Sequence, residues 1–266
     1  MHARLLDWFY SSKKFKQAYT SVWYELVSFI DKNGLMRFMN YGYQGRSTKL
    51  KLKSEDENDR SHIELYHHLI KDIDLTNKDL LEISCGRGGG ISYYSRYFGL
   101  KQAVGLDITK QAIAFCKKKY HLDSTAFIVG DAQSLPFEDD SFDIVVNLEA
   151  SGNYPQITTF FHEVERVLRP GGYFAYADLR KSSEMKKWND QLKQLSMRLV
   201  AREDITDSVC LALERTSESK QRLIDKYIPK VFHTQFYEFA GIKGSNYVYN
   251  ALKSRQKMYI RYLFVK

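Results

Sequence analysis

Four glycines fall within five residues, at Gly86, Gly88, Gly89 and Gly90, just after the apolar run and single acid of LLEIS (80–84). Glycine at that density lets a backbone approach a ligand that a side chain would hold off. Two carboxylates follow at informative distances. Asp107 lies near the end of the apolar segment AVGLDI, 21 residues after Gly86, the separation at which an acid beyond a glycine loop accepts hydrogen bonds from ribose hydroxyls. Asp131 follows the apolar FIVG in VGDAQSLPF, where a carboxylate and the next backbone amide can read an adenine edge.

A dinucleotide fingerprint needs glycine at its first, third and sixth places, and counting from Gly86 the sixth is Ile91. A phosphate loop needs a following Lys and Ser/Thr, which this loop lacks. A glycine loop without phosphate contacts, a ribose carboxylate and an acid at the adenine edge suggest an adenosyl ligand without phosphates, for which S-adenosylmethionine is the candidate. On the glycines alone, a purely structural turn is the alternative.

These residues need elements that bring them together. DLLEIS reads as a first strand, followed by a helix over 89–98; AVGLDI reads as a second strand, followed by a helix through QAIAFCKKKY. FIVG, FDIVVNL and YFAYADL follow as third, fourth and fifth strands. Short buried apolar runs separated by helices predict a parallel sheet covered on both faces, at whose carboxyl edge ligands bind. Residues 180–230 read as helical and polar with no strand signal, and the stretch from FHTQFYEF to KMYIRYLFVK reads as strands closing the sheet. Upstream, Phe15, Ala18, Tyr19, Val22, Trp23, Leu26 and Ile30 share one helical face, and a further helix is expected over 57–73. The expected organisation is one domain over 1–266: a helical cap (1–56), a ligand-binding core (57–179), a helical lid (180–230) and C-terminal strands (231–266).

The formal net charge of +8 is unevenly spread: residues 1–53 carry +7, residues 243–266 carry +6, and the middle carries −5. Basic ends suit anionic lipid headgroups or nucleic acid, and plain solvated faces are the alternative. Three cysteines, Cys85, Cys116 and Cys210, are too few and too scattered for a disulfide framework or a zinc site. Asp7 interrupts the only short apolar run near the start, and no window approaches a membrane span. The expectation is a cytoplasmic protein able to rest on a membrane surface.

The segments EISCGRGGG, VGLDIT, GDAQSLPFEDDSFDIVV and VLRPGGYFAYADL resemble, in order and spacing, the four motifs of the class I S-adenosylmethionine-dependent methyltransferases. End to end, through HIELYHHL, FCKKKYHL, NLEAS, VLRPGGYFAYADLR and the last strand, the chain is similar to the mycobacterial phthiotriolone and phenolphthiotriolone dimycocerosate methyltransferases. Similar sequences act on fatty acids and other secondary metabolites. The resemblance implies an α/β, Rossmann-like fold with a mostly parallel seven-stranded sheet and an α-helical lid. It implies S-adenosyl-L-methionine as cofactor and S-adenosyl-L-homocysteine as product. It assigns Glu82 and the loop Ser84, Cys85, Gly86 and Gly88 to the methionyl part, Asp107 to the ribose and Ile108 to an adenine face. Asp131, Ala132 and Gln133 would meet the adenine edge, and Asn147 and Glu149 the methionine amino group. Tyr41 and Tyr43 in NYGYQ resemble an aromatic stretch that closes over the cofactor, where a ring face favours the sulfonium charge.

One departure concerns catalysis. Related O-methyltransferases place a histidine after the fourth strand in a Glu-x-Ser-His pattern, and this chain reads Glu149-Ala150-Ser151-Gly152. Asp178 matches an acid of those enzymes and is the replacement candidate for taking a proton, with Tyr154 orienting the acceptor. Capping of a following helix is the alternative role for Asp178. His62, His67 and His68 lack metal-ligand spacing, and no metal is expected. A large lid, an aromatic N-terminus and basic flanks together favour a lipid or other hydrophobic small molecule as acceptor. Two rival readings are a nucleic-acid methyltransferase and a catalytically silent cofactor-binding protein. The first is disfavoured because the fourth strand ends in NLEAS rather than Asn/Asp-Pro-Pro-aromatic. The second is motivated by the missing histidine.

Overall fold

The computed structural model describes residues 36–45 and 50–266. The helix expected over 15–30 lies outside them, as does most of the expected cap. Seven strands form one sheet in the order β3-β2-β1-β4-β5-β7-β6. They are β1 (Asp79–Ile83), β2 (Gln102–Asp107), β3 (Thr125–Val129), β4 (Phe142–Leu148), β5 (Leu168–Lys181), β6 (Arg198–Asp204) and β7 (Lys257–Val265). The first five run parallel, and β7 is antiparallel between β5 and β6. The chain winds outward from β1 through β2 to β3 and then crosses back to β4, so the switch point lies between β1 and β4, where such sheets bind ligands.

Alternation along β1 sorts its side chains between the two faces. Leu80 packs with Ile63 and Leu69 of α1 (Arg60–Ile70) and Ile91 of α2 (Gly89–Tyr97). Leu81 and Ile83 pack on the other face with Phe160 and Val164 of α4 (Ile157–Val167), where Trp188 of α5 (Met185–Leu192) also sits. Each such Leu, Ile or Phe contributes roughly 1.5–3 kcal/mol by leaving water. The helix α3 (Lys110–Lys119) adds Ile113 and Cys116 to the first face. Register then aligns the strand ends: Ile83 lies opposite Leu106 and Asn147, and Asp107 opposite Val129.

Three expectations change. Residues 180–230 are not wholly helical, because β6 pairs with β7 at the sheet edge before the 22-residue α6 (Thr206–Tyr227) begins. Its sequence RLVARED is largely exposed and rich in charge, as a sheet edge open to water requires, so it lacks the apolar run that marks an inner strand. The stretch HTQFYEFA is the helix α7 (His233–Ala240) rather than a strand. Its aromatics suggest β structure, but Phe232, Phe236 and Phe239 recur at helical spacing. A π-turn (Asn246–Asn250) and the short α8 (Ala251–Lys253) follow, leaving β7 as the single C-terminal strand. Finally, the helix expected over 57–73 is a 3-10 turn (Ser54–Asp59) followed by α1.

Residues 36–45 form a strap tied into the core. Arg37 pairs with Asp56 at 3.3 Å and with Asp59, the Tyr43 N–H donates to Ser61 O of α1 (2.8 Å), and the Gln44 N–H donates to Ser208 O of α6 (3.0 Å). No helix among the described residues is long and apolar enough to cross a membrane.

Candidate active site

The loop after β1 turns through three left-handed residues, Ser84 (φ 59°), Gly86 (φ 52°) and Gly88 (φ 72°). Gly88 heads α2, and its N–H donates to Cys85 O (2.9 Å). A Cβ there would sit 2.9 Å from Cys116 Sγ, Phe127 and Tyr120, so conformation and space both demand glycine. The loop is pinned to β2 through Asp107. The Gly86 N–H donates to Asp107 Oδ2 (2.9 Å) and the Thr109 N–H to Asp107 Oδ1 (2.8 Å). Burial pushes the Asp107 carboxyl up from its ordinary value, against those two donors.

Beneath the loop, β1 delivers Glu82 into a dry space. Its Oε1 accepts from the Tyr66 hydroxyl (2.8 Å) and the Ile91 N–H also favours the charged carboxyl, while Oε2 is buried without a well-formed hydrogen bond. Asn147, opposite Ile83 on β4, donates through Nδ2 to Ile83 O and to the Tyr154 hydroxyl, both at 2.9 Å, and its buried Oδ1 is likewise unpartnered. The Tyr154 hydroxyl also bonds Ser84 Oγ (2.6 Å). Glu149 leaves β4 in a left-handed conformation (φ 54°). Its Oε1 accepts from the Tyr41 N–H (2.9 Å) and the Tyr259 hydroxyl (2.8 Å). Burial pushes Glu82 and Glu149 up to about 8.

Those two carboxyls predict a pH response in the ligand-free protein. Their folded values exceed the unfolded one, so between about pH 4.5 and 8 the folded state holds protons that the unfolded chain has released. Stability is therefore full at the acid end of that window and declines as pH rises, by up to about 1.4 kcal/mol per pH unit for each group. Burial holds His62 and His68 down to about 3 and about 4, which raises stability with pH below about 6.5 and offsets the carboxyls there. Thermal melts should therefore show a midpoint that falls between about pH 6.5 and 8, with a shallower slope in Glu82→Gln. A midpoint that rises across that range would contradict the burial described.

One cleft gathers Ser84, Cys85, Gly86, Asp107, Ile108, Asp131, Ala132, Gln133, Glu149 and Tyr154. Ile108 is 49% exposed, an apolar wall beside Asp107. Asp131 Oδ1 accepts from the Gln133 backbone N–H (2.9 Å), which fixes the turn after β3. Glu82, Gly88 and Asn147 do not line the cleft; Glu82 and Asn147 bond Tyr66 and Tyr154, which do. Tyr41 reaches the site through its backbone, by the bond to Glu149. Tyr43 does not reach the cleft: its ring stacks on His68 with centroids 4.0 Å apart, held by the strap's bonds to α1 and α6.

Asp178 lies outside the cleft and is 2% exposed. Its Oδ2 accepts from Ser151 Oγ (2.6 Å) and the Gly152 N–H (3.1 Å) and lies 2.9 Å from Arg180 Nη1, while Oδ1 accepts from the Leu179 N–H (2.7 Å). A carboxylate so fully engaged is a structural anchor rather than a free base, and the proton-accepting role expected of it has no geometric support. The strand-end position is what made it look catalytic, and the ion pair with Arg180 is what the sequence hides.

Sequence reasoning missed Tyr66, Thr109, Tyr259 and Arg180. Tyr66 and Tyr259 complete the shells of Glu82 and Glu149 from 16 and 110 residues away. Their positions in α1 and β7 read as ordinary core. Only Thr109, two residues past Asp107, carried a local signal.

The donor set can be tested against the implied cofactor. Two buried oxygens without hydrogen bonds, Glu82 Oε2 and Asn147 Oδ1, belong to side chains bonded to Tyr66 and Tyr154 of the cleft wall, which also carries Asp107 and Glu149. Unpartnered buried acceptors are costly and call for a donor, so the residues fit a ligand bearing an ammonium group and hydroxyls.

Residues 81–176 match the family model for a methyltransferase domain. The chain is 38% identical over 245 residues to the phthiotriol/phenolphthiotriol dimycocerosates methyltransferase of Mycobacterium tuberculosis, covering 92% of this chain and 90% of that protein. It is 34% identical over 230 residues to the fatty-acid O-methyltransferase of Mycolicibacterium smegmatis, covering 86% and 83%. Among solved structures, the geranyl diphosphate C-methyltransferase of Streptomyces coelicolor A3(2), in complex with S-adenosyl-L-homocysteine, superposes with a TM-score of 0.66 at 13% identity, covering 94% and 98%; at that identity the likeness concerns the fold. With such identity sustained over nine-tenths of its length, the chain belongs to the family of the mycobacterial phthiotriol/phenolphthiotriol dimycocerosates methyltransferases, which are class I S-adenosylmethionine-dependent enzymes.

Proposed function

We propose that this enzyme transfers a methyl group from S-adenosylmethionine to an oxygen of a lipid-like, hydrophobic acceptor. The observation that carries the donor assignment is the pair of unpartnered oxygens, Glu82 Oε2 and Asn147 Oδ1, on side chains bonded to the cleft wall that holds Asp107. When bound, the cofactor supplies an electrophilic methyl group on a sulfonium centre. The chain's own residues do the rest by holding and drying the site. Glu82 and Asn147 would hold the ammonium group, Asp107 the ribose hydroxyls, and Ile108 with Asp131, Ala132 and Gln133 the adenine. Glu149, fixed by Tyr41 and Tyr259, would border the methyl group.

The lipid-like acceptor is supported by the names of the two mycobacterial relatives. Peripheral membrane contact is part of the proposal and has its own support in the outer end of the lid. There Leu223, Tyr227, Val231 (74% exposed) and Phe232 stand in water beside Lys226 and Lys230, the mixture of apolar and basic groups that favours an anionic interface.

Calorimetry should detect binding of both S-adenosylmethionine and its demethylated product. Methyl-labelled donor incubated with lipid extracts should place label in an extractable hydrophobic product, and the protein should float with anionic vesicles in preference to neutral ones. A folded sample with no affinity for either cofactor form would end the donor assignment. Equal flotation with the two vesicle types would end the membrane component alone.

A further inference from the structure

The cleft has two ends. The sheet order β3-β2-β1-β4 puts Asp131 and Asp107, which follow β3 and end β2, toward one of them, and Glu149, which follows β4, at the other. Three strand spacings, roughly 14 Å, separate the turn after β3 from the turn after β4. Among the described residues that line the cleft, these three are the carboxylates. Asp107 is engaged by the Gly86 and Thr109 N–H groups and Asp131 by the Gln133 N–H, on the adenosyl side. Glu149 stands apart from them, with Ala150, Asn153 and Tyr154, where an acceptor would enter.

Glu149 is fixed at both backbone and side chain. Its backbone is left-handed (φ 54°), and its N–H donates to Ala177 O of β5 (3.0 Å). A residue other than glycine adopts that conformation at a cost, and keeps it only where the surroundings hold it there. Oε1 is held by the Tyr41 N–H of the strap and the Tyr259 hydroxyl of β7. Oε2 accepts no hydrogen bond among the described residues, and the residue is partly exposed, so this oxygen is left to the cleft. Burial favours the neutral carboxyl; of the charged groups facing it, Asp178 of β5 adds to that preference and Lys220 of α6 opposes it. The rivals are committed elsewhere. Gly152 stands where related enzymes carry a histidine, and Asp178 anchors Arg180 outside the cleft. Tyr154 is bonded to Ser84 and Asn147, and burial pushes its phenol up. His62 does not line the cleft; its Nδ1 is 3.2 Å from Asn40 Oδ1, and burial, with Lys220, pushes the ring down to about 3.

An aliphatic hydroxyl must lose its proton as its oxygen attacks carbon. We propose that Glu149 is the base of the transfer, its Oε2 taking that proton as the acceptor oxygen meets the methyl group. This rests on the methyl-transfer reading above and deepens it by naming where the proton goes. The O–C bond forms, the C–S bond breaks with its electron pair left on sulfur, and the hydroxyl proton moves to Oε2, from which it passes to water once the product leaves. Carboxylate and sulfonium charges are lost together, so the step leaves no net charge behind in a dry site. Burial holds the carboxyl up at about 8 in the empty cleft, and a neighbouring positive charge favours ionisation. Glu149 is therefore ionised when the donor is bound and recovers its affinity for a proton as that charge is consumed.

Calorimetric titration of the purified enzyme at pH 7, repeated in buffers of different ionisation enthalpy, counts the protons released as each cofactor form binds. Both forms carry the ammonium group and ribose assigned to Glu82, Asn147 and Asp107, and only the donor carries the sulfonium. The difference between them therefore reads Glu149. S-adenosylmethionine should release about one more proton than its demethylated product, and the excess should vanish in Glu149→Gln, which keeps an acceptor oxygen for Tyr41 and Tyr259. A second measurement supplies methyl-labelled donor with a long-chain alcohol, a long-chain acid and a lipid extract in turn. The native enzyme should form alkali-stable ethers, more slowly as pH falls. Glu149→Gln should slow ether formation about 100- to 1,000-fold and lose that pH dependence, while binding the demethylated product as the native protein does. Glu149→Asp should restore part of the rate together with its pH dependence. Equal proton release for the two forms, a Glu149→Gln rate within about five-fold of native, or label confined to alkali-labile esters would overturn the base while leaving methyl transfer standing. Label on none of the three despite donor binding would overturn both.

Discussion

Asp107→Ala is expected to weaken binding of S-adenosylmethionine and its demethylated product by about 1,000-fold, roughly 4 kcal/mol. Two effects combine. Hydrogen bonds from ribose hydroxyls to a carboxylate contribute about 1.5–3 kcal/mol each. The carboxylate also accepts the Gly86 and Thr109 N–H groups, so alanine leaves both donors unpaired and frees the loop that shapes the cleft. Asp107→Asn retains one acceptor oxygen but turns an NH2 group toward an N–H, and should cost about 100-fold. Titration calorimetry with the demethylated product reads both variants without requiring turnover. A dissociation constant for Asp107→Ala within three-fold of the native value would remove this residue from the site.

Asp107 and the glycine loop were legible because their signal is local. A run of glycines between a buried strand and a helix has few physical explanations, and an acid at the end of the next strand falls beside it in any parallel βαβ unit. Asp131 was legible for the same reason. The partners that set the chemistry of the acids were not. Tyr66 meets Glu82, and Tyr259 meets Glu149, only once α1 and β7 have packed. Asp178 shows the cost of reading a position without its partners, since the ion pair with Arg180 changes its character from base to anchor. Tyr43 shows the same for an aromatic: the strap's bonds to Ser61 and Ser208 decide which way it faces. The edge strand β6 escaped detection because solvent exposure, rather than burial, selected its residues.

The second large effect tests the packing under the loop. Gly90, the second residue of α2, has no need of unusual backbone angles, yet a Cβ there would lie 2.3 Å from Tyr66 Cε1 and 2.6 and 2.7 Å from the oxygens of Glu82. Neither neighbour can give way cheaply, because both are buried and bonded to each other at 2.8 Å. Gly90→Ala must therefore push α2 off β1 or break the Tyr66–Glu82 bond, and should cost about 3 kcal/mol, the upper range for overpacking a core. Gly90→Val should not fold. Gly99 is the control, since a Cβ there meets nothing within 4 Å, and Gly99→Ala should leave stability within about 1 kcal/mol of native, on the stabilising side. Denaturant unfolding followed by circular dichroism measures all three. Equal midpoints for Gly90→Ala and Gly99→Ala would mean that α2 does not press on Glu82. Glu82 Oε2 would then have room for water, and its claim on the cofactor's ammonium group would lose its physical basis.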